Sequence, residues 1–312
     1  MSNEQRQSFQ IFRTVGLAVD PIHVGTGGAR LGRVDNTIVR DPVTQVPKIP
    51  GSSLAGVHRA YAAMVLEDAR ANENERHYYP SDAGQGSASN DGGGAINAVF
   101  GHRNFAGLAA FSDAHLVLFP VASREGPVWV TAPTALRTVG ARAVVADGNQ
   151  DKAQRPGKGP INLGWLQLAA ESWSGLQAVK DALKAFGVRE DLYKNLSVVD
   201  RLVLVSDKLF GHVVNSNLEV RTSVAINPAT GAAEDGALFT YEAIPRGAVL
   251  AWDVTCRDPR HFKEGRAPEV GTIAQVHEVV ARAHPLLAAL GIGGMGTRGM
   301  GRLEVLAVGG AQ

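Results

Sequence analysis

Residues 21–59 read PIHVGTGGARLGRVDNTIVRDPVTQVPKIPGSSLAGVHR. His23 opens a glycine-rich loop containing Gly25, Gly27 and Gly28, and Arg30 and Arg33 flank Gly32 further on. Asp35 heads a short β-prone run, Thr37 to Val39, which Arg40 and Asp41 close. Pro47-Lys48-Ile49-Pro50-Gly51 then makes a rigid turn into Ser52, Ser53 and a helical pattern. A loop so rich in glycine leaves backbone N–H groups free for a ligand or a second chain. With arginines and a lysine around it, the chemistry favours a run of phosphates. The spacing is not that of a Walker loop, because the loop does not end in Gly-Lys-Ser/Thr. Nor is it a dinucleotide fingerprint, since Gly32 leads into another strand and not into a helix. Each residue alone also fits a plain role: turn glycines, a hydrogen-bonded histidine, an aspartate at a turn. Residue chemistry by itself reaches an anion-accepting loop beside one acid and one histidine.

The bulk numbers narrow the setting. At 312 residues with 45% apolar content the chain can bury an ordinary core. Its 31 basic and 30 acidic residues leave a net charge of +1, so a nucleic-acid site has to be a local patch. The stretch above supplies one: Arg30, Arg33, Arg40, Lys48 and Arg59 against Asp35 and Asp41. A single cysteine, Cys256, excludes an internal disulfide framework and a multi-cysteine zinc site. It fits a reducing cytoplasm. The polar start MSNEQRQS and the lack of a long apolar run predict a cytoplasmic chain without a membrane partner.

Along the chain, residues 9 to 19 alternate as a strand entering the key loop, and Ser52 or Ser53 is placed to cap a helix. That helix carries Leu54, Val57, Tyr61, Met64 and Val65 on one face, with His58 and Arg59 beside the stripe. Residues 71 to 95 are polar and aperiodic and read as a long loop. A short helix at 95–100 precedes one long buried strand, 107–121, and Pro133 starts a short helix to Val139. Residues 140 to 164 read as irregular, with Lys152, Arg155 and Lys158 as added cations. Ser174 is placed to cap a helix that Gly187 stops, a strand covers 198–205, and Ser206 begins another helix. Two β-prone arms, 218–226 and 237–244, flank Asn227-Pro228-Ala229-Thr230-Gly231 and predict a projecting hairpin. A strand from Gly247, one helix over 270–290, a second glycine-rich loop (291–302) and a final strand complete the chain.

Taken together these segments resemble the RAMP superfamily of CRISPR effector subunits, best the repeated backbone subunit of type III-B (Cmr) complexes. The shared elements are His23, Gly25, Gly32, Val34, Asp35, Arg40, the Pro47 to Leu54 turn and Arg59. They also include the FSDAHLVLFPV run, the RTSVAINPATGAAEDGALFTYE hairpin and the closing loop with Arg298 and Arg302. The resemblance covers nearly the whole length and implies a single α+β RAMP domain over residues 1–312. Its implied core is a ferredoxin-like palm with inserted loops and a thumb hairpin.

That resemblance also implies a function: holding guide RNA and cutting the paired single-stranded target RNA at regular intervals, in antiviral defence. The implied partners are guide RNA, target RNA, further copies of the chain in a filament and other type III effector subunits. Asp35 is the expected catalytic residue, as proton acceptor or ligand of a divalent cation such as Mg²⁺, with His23 and Glu242 in minor roles. Expected RNA contacts are Gly25, Gly27, Gly28, Arg30, Arg33, Arg40, Lys48, Ser52, Ser53, Arg59, Arg221, Gly294, Gly296, Arg298, Gly299 and Arg302. With 6% aromatic residues, a stacking platform of the usual RNA-binding sheet is not expected. Three alternatives stay open: the type III-A backbone subunit, a non-cleaving scaffold, and a free-standing guide-processing nuclease.

Overall fold

The computed structural model describes residues 7–27, 34–68, 94–102, 105–143, 150–189, 192–193, 196–262 and 270–311. In chain order the first half holds β1 (Phe9–Ala18), β2 (Lys48–Ile49), α1 (Gly51–Asp68), α2 (Gly94–Phe100), β3 (Ala109–Phe111), β4 (Ala114–Val121), β5 (Val128–Thr131) and α3 (Pro133–Arg137). Next come β6 (Ala153–Arg155), β7 (Ile161–Leu163), β8 (Leu166–Leu168), β9 (Ala170–Ser172), α4 (Leu176–Ala185), β10 (Leu202–Leu204) and α5 (Asp207–Ser216). The last third holds β11 (Glu219–Ile226), β12 (Ala233–Ala243), β13 (Val249–Arg257), α6 (Ile273–Ala281), α7 (His284–Leu290) and β14 (Leu303–Ala311).

One mixed sheet organises the molecule, in the order β14–β1–β13–β4–β5–β10–β6–β9. From β14 to β5 every neighbour is antiparallel, while β5–β10 and β6–β9 are parallel. Period-two patterning sends alternate side chains to opposite faces. On β1, Phe12 packs with one apolar cluster and Val15 and Leu17 with another; on β13, Trp252 and Val254 join the first, Val249 and Ala251 the second. Residues of α1, α2, α6 and α7 line the first cluster and those of α4 the second, while α3 gives Ala135 to the first and Leu136 to the second. The α+β class read from the sequence is correct, and the sheet is covered on both sides. β11 and β12 form a separate two-stranded sheet that stands off this one.

Several boundaries differ from the sequence reading. The 107–121 strand is two, broken at Ser112–Asp113. The break aims the Asp113 carboxylate at α1, where Oδ1 accepts from Gly51 N (2.8 Å) and Oδ2 from Lys48 Nζ (2.6 Å). Asp113 thus caps a helix that starts at Gly51, so neither Ser52 nor Ser53 is its cap. Gly51 itself is required, because a Cβ there would lie 2.5 Å from the Phe111 carbonyl oxygen. Gly175, not Ser174, precedes α4, and it provides no side-chain cap. The single 270–290 helix is two, since Pro285 in the first turn of α7 cannot donate to a continuing helix. The 198–205 strand shortens to β10 behind a 3₁₀ turn, and residues 153–163 hold strands in place of an irregular loop. His58 is fully buried, not beside a solvated face. Most of the 71–95 loop lies outside the described residues.

Candidate RNA-processing site

β1 ends at Ala18, and the chain leaves the sheet through Pro21, Ile22 and His23. There it meets the root of β12: Ile22 and Ile244 exchange backbone bonds (2.8 and 2.9 Å). The second glycine-rich loop closes on the same place, with Gly294 N donating to the His23 carbonyl (2.8 Å) and Gly301 N to that of Pro21 (2.8 Å). Gly293 is held at φ +88°, and any side chain there would strike the His23 carbonyl oxygen. Only glycine lets the two loops approach so closely. Gly296 and Gly299 differ: a Cβ at either meets nothing within 4 Å, and Gly27 is equally open. So the loop contains packing glycines and glycines whose backbone faces free space.

Residues 34–40 return beside this junction. Gly25 pairs with Ile38, Asn36 with Tyr241, and Arg40 with Pro47, so the run is a string of single bridges to three neighbours. Glu242 anchors it from below. Its Oε1 accepts from Ile38 N (2.9 Å) and Arg40 Nη1 (2.6 Å), and its Oε2 accepts from Arg40 Nη2 (2.9 Å). Glu242 is 6% exposed, so this is a two-pronged ion pair largely removed from water. Removing one partner of such a pair typically costs about 3–5 kcal/mol. Glu242 is therefore an anchor, and its carboxylate is fully engaged.

Asp35 lies above that anchor and is partly exposed. Its Oδ2 accepts from Thr240 N (2.8 Å) and Thr240 Oγ1 (2.9 Å), and its own N–H donates to Thr240 Oγ1 (3.1 Å). Those two donors, the backbone one first, hold the Asp35 carboxyl below the usual carboxylate range. His23 is 6% exposed, with Nδ1 2.6 Å from the Glu242 carbonyl oxygen. That contact requires Nδ1 to donate, which makes Nε2 of a neutral ring an acceptor; His23 offers a proton at Nε2 only when charged. Gly25 keeps that nitrogen uncovered, since a Cβ there would lie 3.1 Å from Nε2.

The remaining expected contacts separate. Arg302 pairs with Asp20 (2.5 Å), Lys48 with Asp113 (2.6 Å) and Arg221 with Glu219 (2.6 Å). Arg59 turns inward, donating to the Gly101 carbonyl (2.5 Å) and Asn97 Oδ1 (2.8 Å) of α2 and its end. Arg298 is exposed and lies 5.1 Å over the Phe239 ring on β12. Ser52 is exposed at the start of α1, and Ser53 half-buried. Gly28, Arg30 and Arg33 lie outside the described residues. Thr240 and Tyr241, whose ring stands edge-on to His23 at 5.9 Å, are the site residues that sequence reasoning missed. Among the described residues no group of three or more His, Cys, Asp or Glu side chains converges as a metal centre would.

Known proteins match this architecture. The chain is 26% identical over 251 residues to the CRISPR system Cmr endoribonuclease Cmr4 of Pyrococcus furiosus, covering 74% of this chain and 77% of that one. A type III-B Cmr-beta structure bound to cognate target RNA superposes with a TM-score of 0.62 at 15% identity, over 96% of this chain and 98% of that one. Oligomeric Cmr4 from Pyrococcus furiosus superposes with a TM-score of 0.60 at 20% identity, over 98% and 100%. The family model of the RAMP superfamily matches residues 17–304. From the key loop to the last strand, the chain belongs to the RAMP superfamily.

Proposed function

We propose that this chain is the repeated backbone subunit of a type III-B CRISPR complex, holding guide RNA and cutting the paired target RNA beside Asp35. The observation that carries the reading is the placement of one oriented carboxylate where both glycine-rich loops and the hairpin meet. The match to Cmr4 supports it over most of the chain. We read β14–β1–β13–β4, with α1 between β1 and β4 and α6–α7 before β14, as a ferredoxin-like palm. Their uniform antiparallel order supports that reading. The β11–β12 arm is then the thumb, and successive copies along one guide, with other effector subunits, make a filament with head-to-tail contacts in the cytoplasm.

RNA carries its own nucleophile. The 2′-hydroxyl attacks the adjacent phosphorus and the 5′-oxygen leaves, giving a 2′,3′-cyclic phosphate and a 5′-hydroxyl end. The attack needs in-line geometry and an acceptor for the hydroxyl proton. A carboxylate held low in pKa is ionised at neutral pH but is a weak base, so Asp35 orients the hydroxyl more than it abstracts the proton. With the Glu242 carboxylate engaged by Arg40, the described residues do not build a metal site of three or more ligands. An Mg²⁺ ion would have to take most of its oxygen shell from RNA and water.

Asp35→Asn tests the function. In a guide-loaded complex that still binds target, cleavage should fall by about 10² to 10⁴. Near-normal cutting would leave Asp35 a purely structural partner of Thr240 and favour a non-cleaving scaffold, which the same hydrogen bonds also fit.

A further inference from the structure

We infer that Thr240 is a positioning residue for RNA cleavage: it ties the hairpin arm to Asp35, so the placement of the arm and of the carboxylate is one event. The inference rests on the reading of Asp35 as the cleaving group. Among the other described residues, Thr240 makes both hydrogen bonds that the Asp35 carboxylate receives. The bond is reciprocal, because the hydroxyl that donates to Oδ2 also accepts from the Asp35 backbone. The Thr240 carbonyl extends the clamp, accepting from Asn36 N (3.0 Å) and Asn36 Nδ2 (3.4 Å). Both of the carboxylate's incoming donors converge on Oδ2, which leaves Oδ1 for a hydroxyl of the substrate.

The position of Thr240 along β12 gives the clamp a mechanical role. Glu242 and Leu238 share its face of the strand. Glu242 is buried in the Arg40 pair, whereas Leu238 is 65% exposed and registers with Val224, itself 41% exposed. Thr240 sits between a fixed root and an open tip, about 7 Å from each at the strand's rise. The opposite face of β12 carries Phe239 under Arg298, and Tyr241 against Met300 of the second glycine loop. A ligand that bears on the outer hairpin therefore acts on the residue that, among the described residues, holds the Asp35 carboxylate. A misplacement of about 1 Å at a reacting group is enough to cost 10²-fold in rate.

The test uses the guide-loaded complex with Thr240→Val, Thr240→Ser and Asp35→Asn in parallel. Thr240→Val keeps the shape and the backbone donor but removes the hydroxyl, and target cleavage should fall about 10- to 100-fold with target binding unchanged. Thr240→Ser should restore the rate. Losing a donor raises the Asp35 pKa, so the acid limb of the pH–rate profile should move to higher pH in the Val variant, which mere loosening of the arm would not produce. If the Val variant does not assemble, Thr240→Cys, a weaker donor at the same place, should give an intermediate rate and an intermediate limb. Normal cleavage by the Val variant, or a reduced rate with an unmoved acid limb, overturns the inference while Asp35→Asn remains inactive. Normal cleavage by Asp35→Asn instead overturns the underlying function.

Discussion

His58 shows how a single side chain departs from its apparent role in the sequence. It lies on α1 one residue from Arg59 and has no exposed surface. Nδ1 donates to the Leu54 carbonyl (2.8 Å), and the ring is enclosed by Phe111, Trp252 and His284. Burial pushes its pKa down to about 4 from the ordinary 6.5. His284, 5.6 Å away, is pushed down to about 3 by burial and by the charges of His58 and His277. At pH 7 both rings are neutral. As pH falls below 6.5 the unfolded chain gains protons that the folded chain refuses until about 4, so stability falls across that window. For His58 alone the loss is about 2 kcal/mol by pH 5. Urea unfolding at pH 7 and pH 5 checks this: His58→Leu should lose less stability on acidification than the parent chain, and an equal loss would contradict it. The charge and spacing of Asp35, His23 and the arginines were legible in the sequence; their partners were not. Arg40 finds Glu242 and Asp35 finds Thr240 across more than 200 positions, and no local period records such a pairing.

Among the elements, the hairpin was the most legible. Its arms are β-prone, and Asn227 accepts from Ala229 N through its side chain while Gly231 takes φ +67°, which is turn chemistry written in residue types. The structure adds that Val220 and Val224 lie on one exposed face of β11, with Ile226 exposed beyond a break in the register. Such a face has no core to cover, so its apolar side chains stabilise the arm only through cross-strand neighbours such as Val224 and Leu238. Shortening the arm between residues 227 and 236 to a tight turn should leave the midpoint of thermal unfolding and guide binding near their parent values. Target cleavage should lose its regular spacing or stop. Cleavage products of unchanged length and yield would make the outer arm dispensable. Two of the boundaries misread elsewhere share one cause. At Ser112–Asp113 and at Arg282–Ala283 the apolar pattern runs on while the backbone turns, in the first case to deliver a helix cap and in the second before a proline. Apolar spacing reports burial, and burial continues across both breaks.

At the scale of the whole molecule, the sheet brings the two chain ends together. β14 pairs with β1, so the loops entering and leaving them close on one spot. The sequence overstated the charge of that spot. Arg40, Lys48, Arg221 and Arg302 all stand in ion pairs with Glu242, Asp113, Glu219 and Asp20. A paired cation that keeps its carboxylate neutralises little of an RNA phosphate, so counterion release should be modest. Each phosphate neutralised on a single strand contributes about −0.7 to the slope of log affinity against log salt. Arg298 is the exception: it forms no ion pair among the described residues and lies exposed between Gly296 and Gly299, where a Cβ would meet nothing within 4 Å. A guide-length RNA titrated against the chain between about 50 and 300 mM salt should give a slope of about −1 to −2 per subunit, shallow for an RNA-binding surface. Arg298→Ala should weaken binding to unrelated sequences alike and reduce that slope by about 0.7 per subunit. Arg221→Ala, which removes an already paired cation, should leave the slope nearly unchanged. A steep slope that Arg298→Ala does not alter would place the phosphate contacts elsewhere than at the junction of the two loops.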